Sequence, residues 1–390
     1  MKYFIIAGEA SGDYHASRLM AEIQRRDPQS QFRTIGGTAM RQVDPHQFMA
    51  YDNLAYMGFV QVMLHLPAIL QGMKDCKKEL ASFRPDALIL VDYPGFNLQI
   101  AKWARQHLPA TKIIYYISPK IWAWKEHRLT AIKRDVDIVL SILPFEVDWY
   151  RQRGYESVRY VGNPSLEELL PLLSQPKTEV PEDQQYVLLV PGSRKAEVRD
   201  NLRVMLNATR SLNLPRVIAG APGLSAQFYA EVLDKMGREH ESVEVAFGRT
   251  HSLMRHARVA AVTSGTAALE ASLLDCPQVV CYNFKGGKLV YNIMKWVLRK
   301  ISFVTLPNLI RYGLGGKAKI NERQAFVCEL LGPYLTAQRL RQEMEDLLQD
   351  RNGKWQRQQE GNAEVRARLE LDSKNAPQEA AQTIFDLLNK

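Results

Sequence analysis

The stretch RVAAVTSGTAALEASLLDCPQVVCY, residues 258–282, predicts a strand, a glycine turn, a helix and a second strand in one unbroken run. The apolar, β-branched run 259–262 has the length of a buried parallel strand. Thr263, Ser264, Gly265 and Thr266 supply small turn residues, and 267–274 has helix-forming composition ahead of a strand at 278–282. A helix opening on Ser264, Gly265 and Thr266, with Ala267 in its first turn, offers unpaired backbone N–H groups and the positive end of its dipole to a ligand above the sheet. Such an end seats an anion. Glu270, one turn further on, is placed to accept from both hydroxyls of a ribose. The alternative for this segment alone is an ordinary βαβ unit with a surface glutamate.

The same alternation runs upstream. Strand 186–190 leads into the turn Pro191-Gly192-Ser193-Arg194 and a helix, followed by strands at 216–219 and 243–247. Backbone N–H groups after Gly192, the Ser193 hydroxyl and the Arg194 fork suit a diphosphate. Two such turns in one half of the chain are more specific for a nucleotide diphosphate than either alone. Residues 174–185, SQPKTEVPEDQQ, are polar, contain two prolines and lack an apolar period, so they read as a linker.

The first half alternates as well, with strands expected at 2–7, 32–36, 86–92, 112–118, 137–143 and 158–162. The fold class is therefore α/β, with two Rossmann-like parallel-sheet domains at 1–173 and 186–354 and a cleft between them. The helical tail, 355–390, is expected to pack back on the first domain.

Site residues in such sheets lie at the carboxyl ends of strands. In the first domain these are Glu9, with Ser11, Gly12 and Asp13 in the same turn, then Asp92, Ser118 and Asn163. The glycine spacing at 8–13 is neither G-x-G-x-x-G nor a P-loop. Asp92 ends a hydrophobic strand, a costly place for a carboxylate unless it is used. It suits a general base, with a helix cap as the alternative. Asp135-Val136-Asp137 precedes a strand and reads as a helix-to-strand junction, and no metal is expected. Trp122 and Trp124 suggest a wall for an apolar or sugar ligand. Met57, Phe59, Val60, Met63 and Leu64 suggest either a lipid-facing patch or a buried amphipathic helix.

Composition bounds the reading further. The 390 residues are 46% hydrophobic and 24% charged, as in globular proteins. The apolar run 3–7 is too short for a signal peptide, and 57–70 is interrupted by Gln61, His65 and Pro67 and falls short of a bilayer crossing. Cys76, Cys276, Cys281 and Cys328 have no metal-ligand spacing and read as reduced thiols of a cytosolic protein. Net charge is +9, and residues 276–321 hold Lys285, Lys288, Lys295, Arg299, Lys300, Arg311, Lys317 and Lys319 without one acid. Interleaved aromatics, Trp296 among them, suit an anionic membrane surface, nucleic acid, or a solvated basic face over core aromatics; the membrane surface ranks first, with Lys295, Trp296, Arg299 and Lys300 as contacts. No nucleic-acid motif accompanies the patch.

The motifs AGEASGD (7–13), VDYPGFN (91–97), SPKIWAWKEHR (118–128), LPFE (143–146), PGSRKAE (191–197), SGTAALE (264–270) and LPNLI (306–310) fall in this order through nearly the whole chain. In these the sequence resembles the lipid-A-disaccharide synthase family, bacterial glycosyltransferases of the two-Rossmann-domain, GT-B type (glycosyltransferase family 19). The resemblance implies an inverting, metal-free and cofactor-free transfer. UDP-2,3-diacylglucosamine is joined to 2,3-diacylglucosamine 1-phosphate, giving a β-1,6-linked disaccharide phosphate and UDP. It implies Asp92 as base, Arg194, Ser193 and 264–267 as the UDP hold with Glu270 on the ribose, and acyl chains near 57–66 and 122–124. It also implies a peripheral place on the inner face of the cytoplasmic membrane; an oligomer is compatible. Gly95 stands where the family commonly has a second acid, Asn163 where it usually has His, and 311–325 reads as an insertion. The alternatives are another GT-B enzyme with a UDP-N-acetylglucosamine-type donor, such as a peptidoglycan-lipid transferase or a 2-epimerase, and a non-enzymatic membrane-binding protein.

Overall fold

The computed structural model describes residues 1–51, 66–178, 180–237, 243–283, 302–314, 325–370 and 375–389. Short apolar runs that end in small or acidic turn residues form the strands, and two sheets result. The first comprises β1 (Lys2–Ala7), β2 (Gln31–Gly36), β3 (Gln47–Ala50), β4 (Ala87–Val91), β5 (Lys112–Tyr116), β6 (Ile138–Ser141) and β7 (Val158–Tyr160). The second comprises β8 (Val187–Val190), β9 (Arg216–Gly220), β10 (Glu244–Phe247), β11 (Val259–Thr263), β12 (Gln278–Tyr282) and β13 (Cys328–Leu331).

Strand order is β3-β2-β1-β4-β5-β6-β7 in one sheet and β10-β9-β8-β11-β12-β13 in the other, and every pairing is parallel. The two sheets thus repeat one winding. The central strands β4 (ALILV), β8 (VLLV) and β11 (VAAVT) are buried at every position, as required of strands covered on both faces. Strand order reverses between β1 and β4 and between β8 and β11. At such a reversal the loops leave to opposite sides and open a crevice beyond the carboxyl ends.

The chain divides into two units, Met1–Pro164 with Glu370–Lys390, and Ser165–Leu369. The first boundary falls ahead of the polar stretch 174–185. The segment before that stretch is anchored in the second unit, where Leu166 and Leu169 are buried and Arg255 donates to the carbonyls of Leu172 and Gln175. Of the tail, only helix Ala376–Leu388 joins the first unit, against helix Ala10–Arg26, with Arg26 donating to Gln382 at 2.6 Å. Helix Lys354–Leu369 belongs to the second unit, where Gln358 accepts from the Gln278 N–H at 2.6 Å and donates to the Gln278 carbonyl at 2.9 Å. Asp135 and Asp137 flank the junction into β6, and each is committed: Asp135 to Arg134 at 2.6 Å, Asp137 to Arg105 at 2.7 Å.

Candidate functional site

The strand reversal in the second unit lies between the turns after β8 and β11. Gly192 has φ +115°, a backbone conformation that L side chains rarely adopt, so this turn favours glycine. Helix Lys195–Thr209 follows with Arg194 as its N-cap, and helix Thr266–Leu273 follows the second turn with Gly265 as its N-cap. Neither end has a side-chain cap. Among the described helices Ser225, Thr336 and Asn375 each accept from a first-turn N–H of the helix they precede, while several others, such as Ala10–Arg26 and Thr250–His256, are likewise without a side-chain cap. Two helix starts at one crevice, both left open, present N–H donors and dipole ends to an anion. Ser193, Arg194, Gly265 and Thr266 are exposed, while Ser264, Ala267 and Glu270 are half-buried.

One residue ties this crevice together. Asn201 is fully buried on helix Lys195–Thr209 and donates to the Pro191 carbonyl and to Thr263 Oγ1, both at 3.0 Å, while its own carbonyl accepts from the Asn283 N–H at 2.9 Å. It therefore fixes the turns after β8, β11 and β12 to one another. The sequence signal was a polar residue on the otherwise apolar stripe of Val198, Leu202 and Met205. Arg194 leans back on Glu197 at 2.9 Å with its side chain 71% exposed, leaving the guanidinium free to swing to a ligand. Glu270 Oε2 meets His251 Nε2 at 3.1 Å, so His251, which motif reasoning passed over, orients this carboxylate.

In the first unit the reversal lies between the turns after β1 and β4. An added Cβ on Gly8 would stand 2.3 Å from the Tyr93 ring, so glycine is required for that ring to pack there. Asp92 and Tyr93 have φ of 42° and 44°, the left-handed region that β-carbons disfavour. The Asp92 carbonyl is held there by Tyr115 Oη at 2.6 Å and Asn97 Nδ2 at 2.7 Å, both from buried residues. Strain held in this way is of the kind that clusters at functional sites. Asp92 does not cap the following helix Pro94–His107: its N-cap is Tyr93, with no side-chain cap bond.

The Asp92 carboxyl is pushed up from 3.8 to about 6, first by burial, then by the Glu9 carboxylate; Lys120 and the Tyr93 N–H pull the other way. Glu9 opens helix Ala10–Arg26 and accepts from Ser11 Oγ at 2.9 Å. Asp92, Glu9 and Lys120 thus share one electrostatic neighbourhood, as the turn-end reading expects for the first two.

Other candidates are placed differently. Asp13 is buried and accepts from the N–H groups of Gly37 at 2.6 Å, Ala39 at 2.9 Å and Met40 at 3.2 Å, so it secures the start of helix Thr38–Val43 and is not turned to a ligand. Gly12 is buried between Ala7 and Val91. Ser118 is buried and bonded to Tyr150 Oη at 2.7 Å. Trp122, expected in an open lipid wall, is 5% exposed, packs edge-on to Phe145 and donates to Glu146 at 2.8 Å. Asn163 follows β7, 6% exposed. Trp124 closes the short helix Ile121–Trp124. The expected lipid contacts Met57, Phe59, Val60, Met63 and Leu64 and membrane contacts Lys295, Trp296, Arg299 and Lys300 lie outside the described residues.

A model of the lipid-A-disaccharide synthetase family matches residues 3–384. The chain belongs to this family. The lipid-A-disaccharide synthase of Myxococcus xanthus strain DK1622 is 34% identical over 99% of this chain and 97% of its own length, and that of Geobacter metallireducens is 31% identical over 100% and 98%. Among solved structures, the calicheamicin glycosyltransferase CalG4 superposes with a TM-score of 0.58 at 15% identity, covering 100% of this chain and 98% of that one. The UDP-GlcNAc 2-epimerase of Neisseria meningitidis gives 0.56 at 12% identity, covering both chains fully. These structural likenesses concern fold alone, and they agree with the paired Rossmann-like sheets of this family member.

Proposed function

We propose that the protein condenses UDP-2,3-diacylglucosamine with 2,3-diacylglucosamine 1-phosphate, releasing UDP and the β-1,6-linked disaccharide phosphate of lipid A biosynthesis. Family membership makes it a glycosyltransferase of that route. The observation that carries the assignment of the nucleotide is the pair of uncapped helix starts after β8 and β11, tied by Asn201. The diphosphate lies on the N–H groups of 193–195 and 265–267 with Arg194 on its outer oxygens, and Glu270 accepts from the ribose.

Asp92 takes the proton of the acceptor 6-hydroxyl as that oxygen attacks the donor anomeric carbon. The bond from that carbon to the β-phosphate oxygen breaks, and the electron pair leaves on UDP. With its carboxyl near 6, Asp92 is mostly ionised at pH 7 yet more basic than an ordinary aspartate, which suits a base working at neutral pH. Positive charge and helix dipoles stabilise the departing diphosphate, so the chain's own residues supply what the step needs.

No described helix is long and apolar enough to cross a membrane. We place the protein on the inner face of the cytoplasmic membrane through the basic, aromatic stretch 285–300, the feature of the sequence that supports that location. Purified protein mixed with both acylated substrates releases UDP in step with disaccharide phosphate. Release of UDP without the acceptor, or none with both present, refutes the reading.

A further inference from the structure

Helix Pro144–Arg151 grips the turn after β5 at two points one helical turn apart: Glu146 Oε1 accepts from Trp122 Nε1 at 2.8 Å, and Tyr150 Oη bonds Ser118 Oγ at 2.7 Å. That turn is the neighbour of the one that carries Asp92. β5 pairs with β4 at Val91 and Tyr116, and the Asp92 N–H reaches the Tyr116 carbonyl at 3.4 Å. On its other side β6 pairs with β5 and ends at Ser141, whose hydroxyl touches Glu146 Oε2. Glu146 therefore bridges the turns after β5 and β6 from a position 1% exposed.

The hydrogens around it can be counted. Ser141 Oγ accepts from the Leu143 N–H at 3.1 Å and lies 2.9 Å from the Leu143 carbonyl, which can only accept. A hydroxyl has one hydrogen. If Glu146 were a carboxylate, Ser141 would have to serve two acceptors with it. If Glu146 is protonated, its Oε2–H goes to Ser141, the Ser141 hydrogen goes to Leu143, Trp122 donates to Oε1, and every polar atom of the cluster is satisfied.

We propose that Glu146 works as a neutral, protonated positioning residue that clamps the Ser118–Trp122 turn beside the turn that carries Asp92. This rests on Asp92 being the base. The charged groups that reach Glu146 are Lys120, from the clamped turn, and Asp92, from the end of β4; Tyr150 of its own helix is the other titratable neighbour, and no cation pairs with Glu146 among the described residues. Burial is the first cause that raises its carboxyl, from 4.5 to about 7. With Ser141 accepting instead of donating, only Trp122 and Lys120 oppose that burial. Ionisation would place a second anion beside Asp92, compete for Lys120 and strip the Ser141 bond.

The test compares the full-length wild type with Glu146→Gln and Glu146→Ala. Glutamine reproduces the neutral acid, since its amide donates to Ser141 and its oxygen accepts from Trp122. Expected is a loss of about 10–100-fold in kcat for Glu146→Ala, as for a displaced reacting group, with Glu146→Gln restoring most of it. The wild-type rate is expected to fall above about pH 7 as Glu146 ionises, and Glu146→Gln to remove that fall. The infrared difference spectrum between wild type and Glu146→Gln at pH 7 shows a protonated-carboxyl C=O band only in the wild type. Absence of that band, or Glu146→Gln as inactive as a folded Glu146→Ala, overturns the proposal. The spectrum tests the proton without substrate, so a wild type that releases no UDP would count against the transferase reading and not against this one.

Discussion

Replacing Asp92 by Asn separates what the residue does for the reaction from what it costs the fold. Asparagine tolerates the left-handed backbone at this position, so φ of 42° and the bonds to the Asp92 carbonyl survive the change. The folded carboxyl stands at about 6 instead of 3.8, a rise of about two pKa units, and at about 1.4 kcal/mol per unit this is at most about 3 kcal/mol. The sign follows from the direction. The fold prefers the protonated form, so the penalty is absent below about pH 4 and complete once pH has risen past about 6. Asp92→Asn should therefore leave stability unchanged at pH 4 and raise it by up to about 3 kcal/mol at pH 8, read from urea unfolding. Its turnover should fall by about 10²–10⁴-fold with UDP affinity unchanged. In the wild type, kcat/KM should rise with pH through about 6 and fall again above about 7 as Glu146 loses its proton. Near-native turnover in the variant would place the base elsewhere. A loss of stability at pH 8 would show that burial does not penalise this carboxylate.

Three further outcomes are expected. Arg194→Ala, whose wild-type side chain is 71% exposed and makes, among the described residues, only an (i, i+3) pair, should weaken UDP binding by roughly 10–100-fold in calorimetry while leaving the melting temperature in place. Asn201→Asp keeps the acceptor for Asn283 but loses both donors, leaving the Pro191 carbonyl and Thr263 Oγ1 facing a carboxylate. It should cost about 2–6 kcal/mol in urea unfolding of the second unit, and an unchanged midpoint would refute its role as a tie. EDTA should leave the rate of UDP release unaltered, since helix dipoles and Arg194 carry the leaving-group charge; abolition of the rate by EDTA would refute the metal-free step.

The sequence made the central strands legible because β4, β8 and β11 are continuous apolar runs bounded by turn residues. The edge strands β3 and β13 escaped notice: QFMA and CELL are short, mixed in polarity and only partly buried. The open helix starts were visible as small-residue turns, because glycine and serine permit the tight backbone that a strand-to-helix turn needs. Interactions distant in sequence were not. Asp13 looks like a turn acid until the fold brings Gly37, Ala39 and Met40 to its two oxygens. Trp122 looks like an exposed wall until Glu146 claims its N–H. In both cases the missing fact was a partner more than twenty positions away.

The two crevices are built from the same winding with opposite chemistry, and the difference follows from the tasks we propose for them. Holding a diphosphate requires fixed donors whose charge state does not change with pH. In the second unit the donors are backbone N–H groups and a guanidinium, and the tie between the turns is an amide that does not titrate. A base must gain and lose a proton near neutrality, so the first unit places a carboxylate where burial and a second acid raise its affinity for that proton. Such a site opposes folding, through the buried charge and through left-handed backbone at Asp92 and Tyr93 that costs on the order of 1–3 kcal/mol per residue. It persists because Tyr115 and Asn97, anchored in the core, hold the Asp92 carbonyl directly. Rigidity in one crevice serves affinity, and in the other it sustains strain at the reacting group.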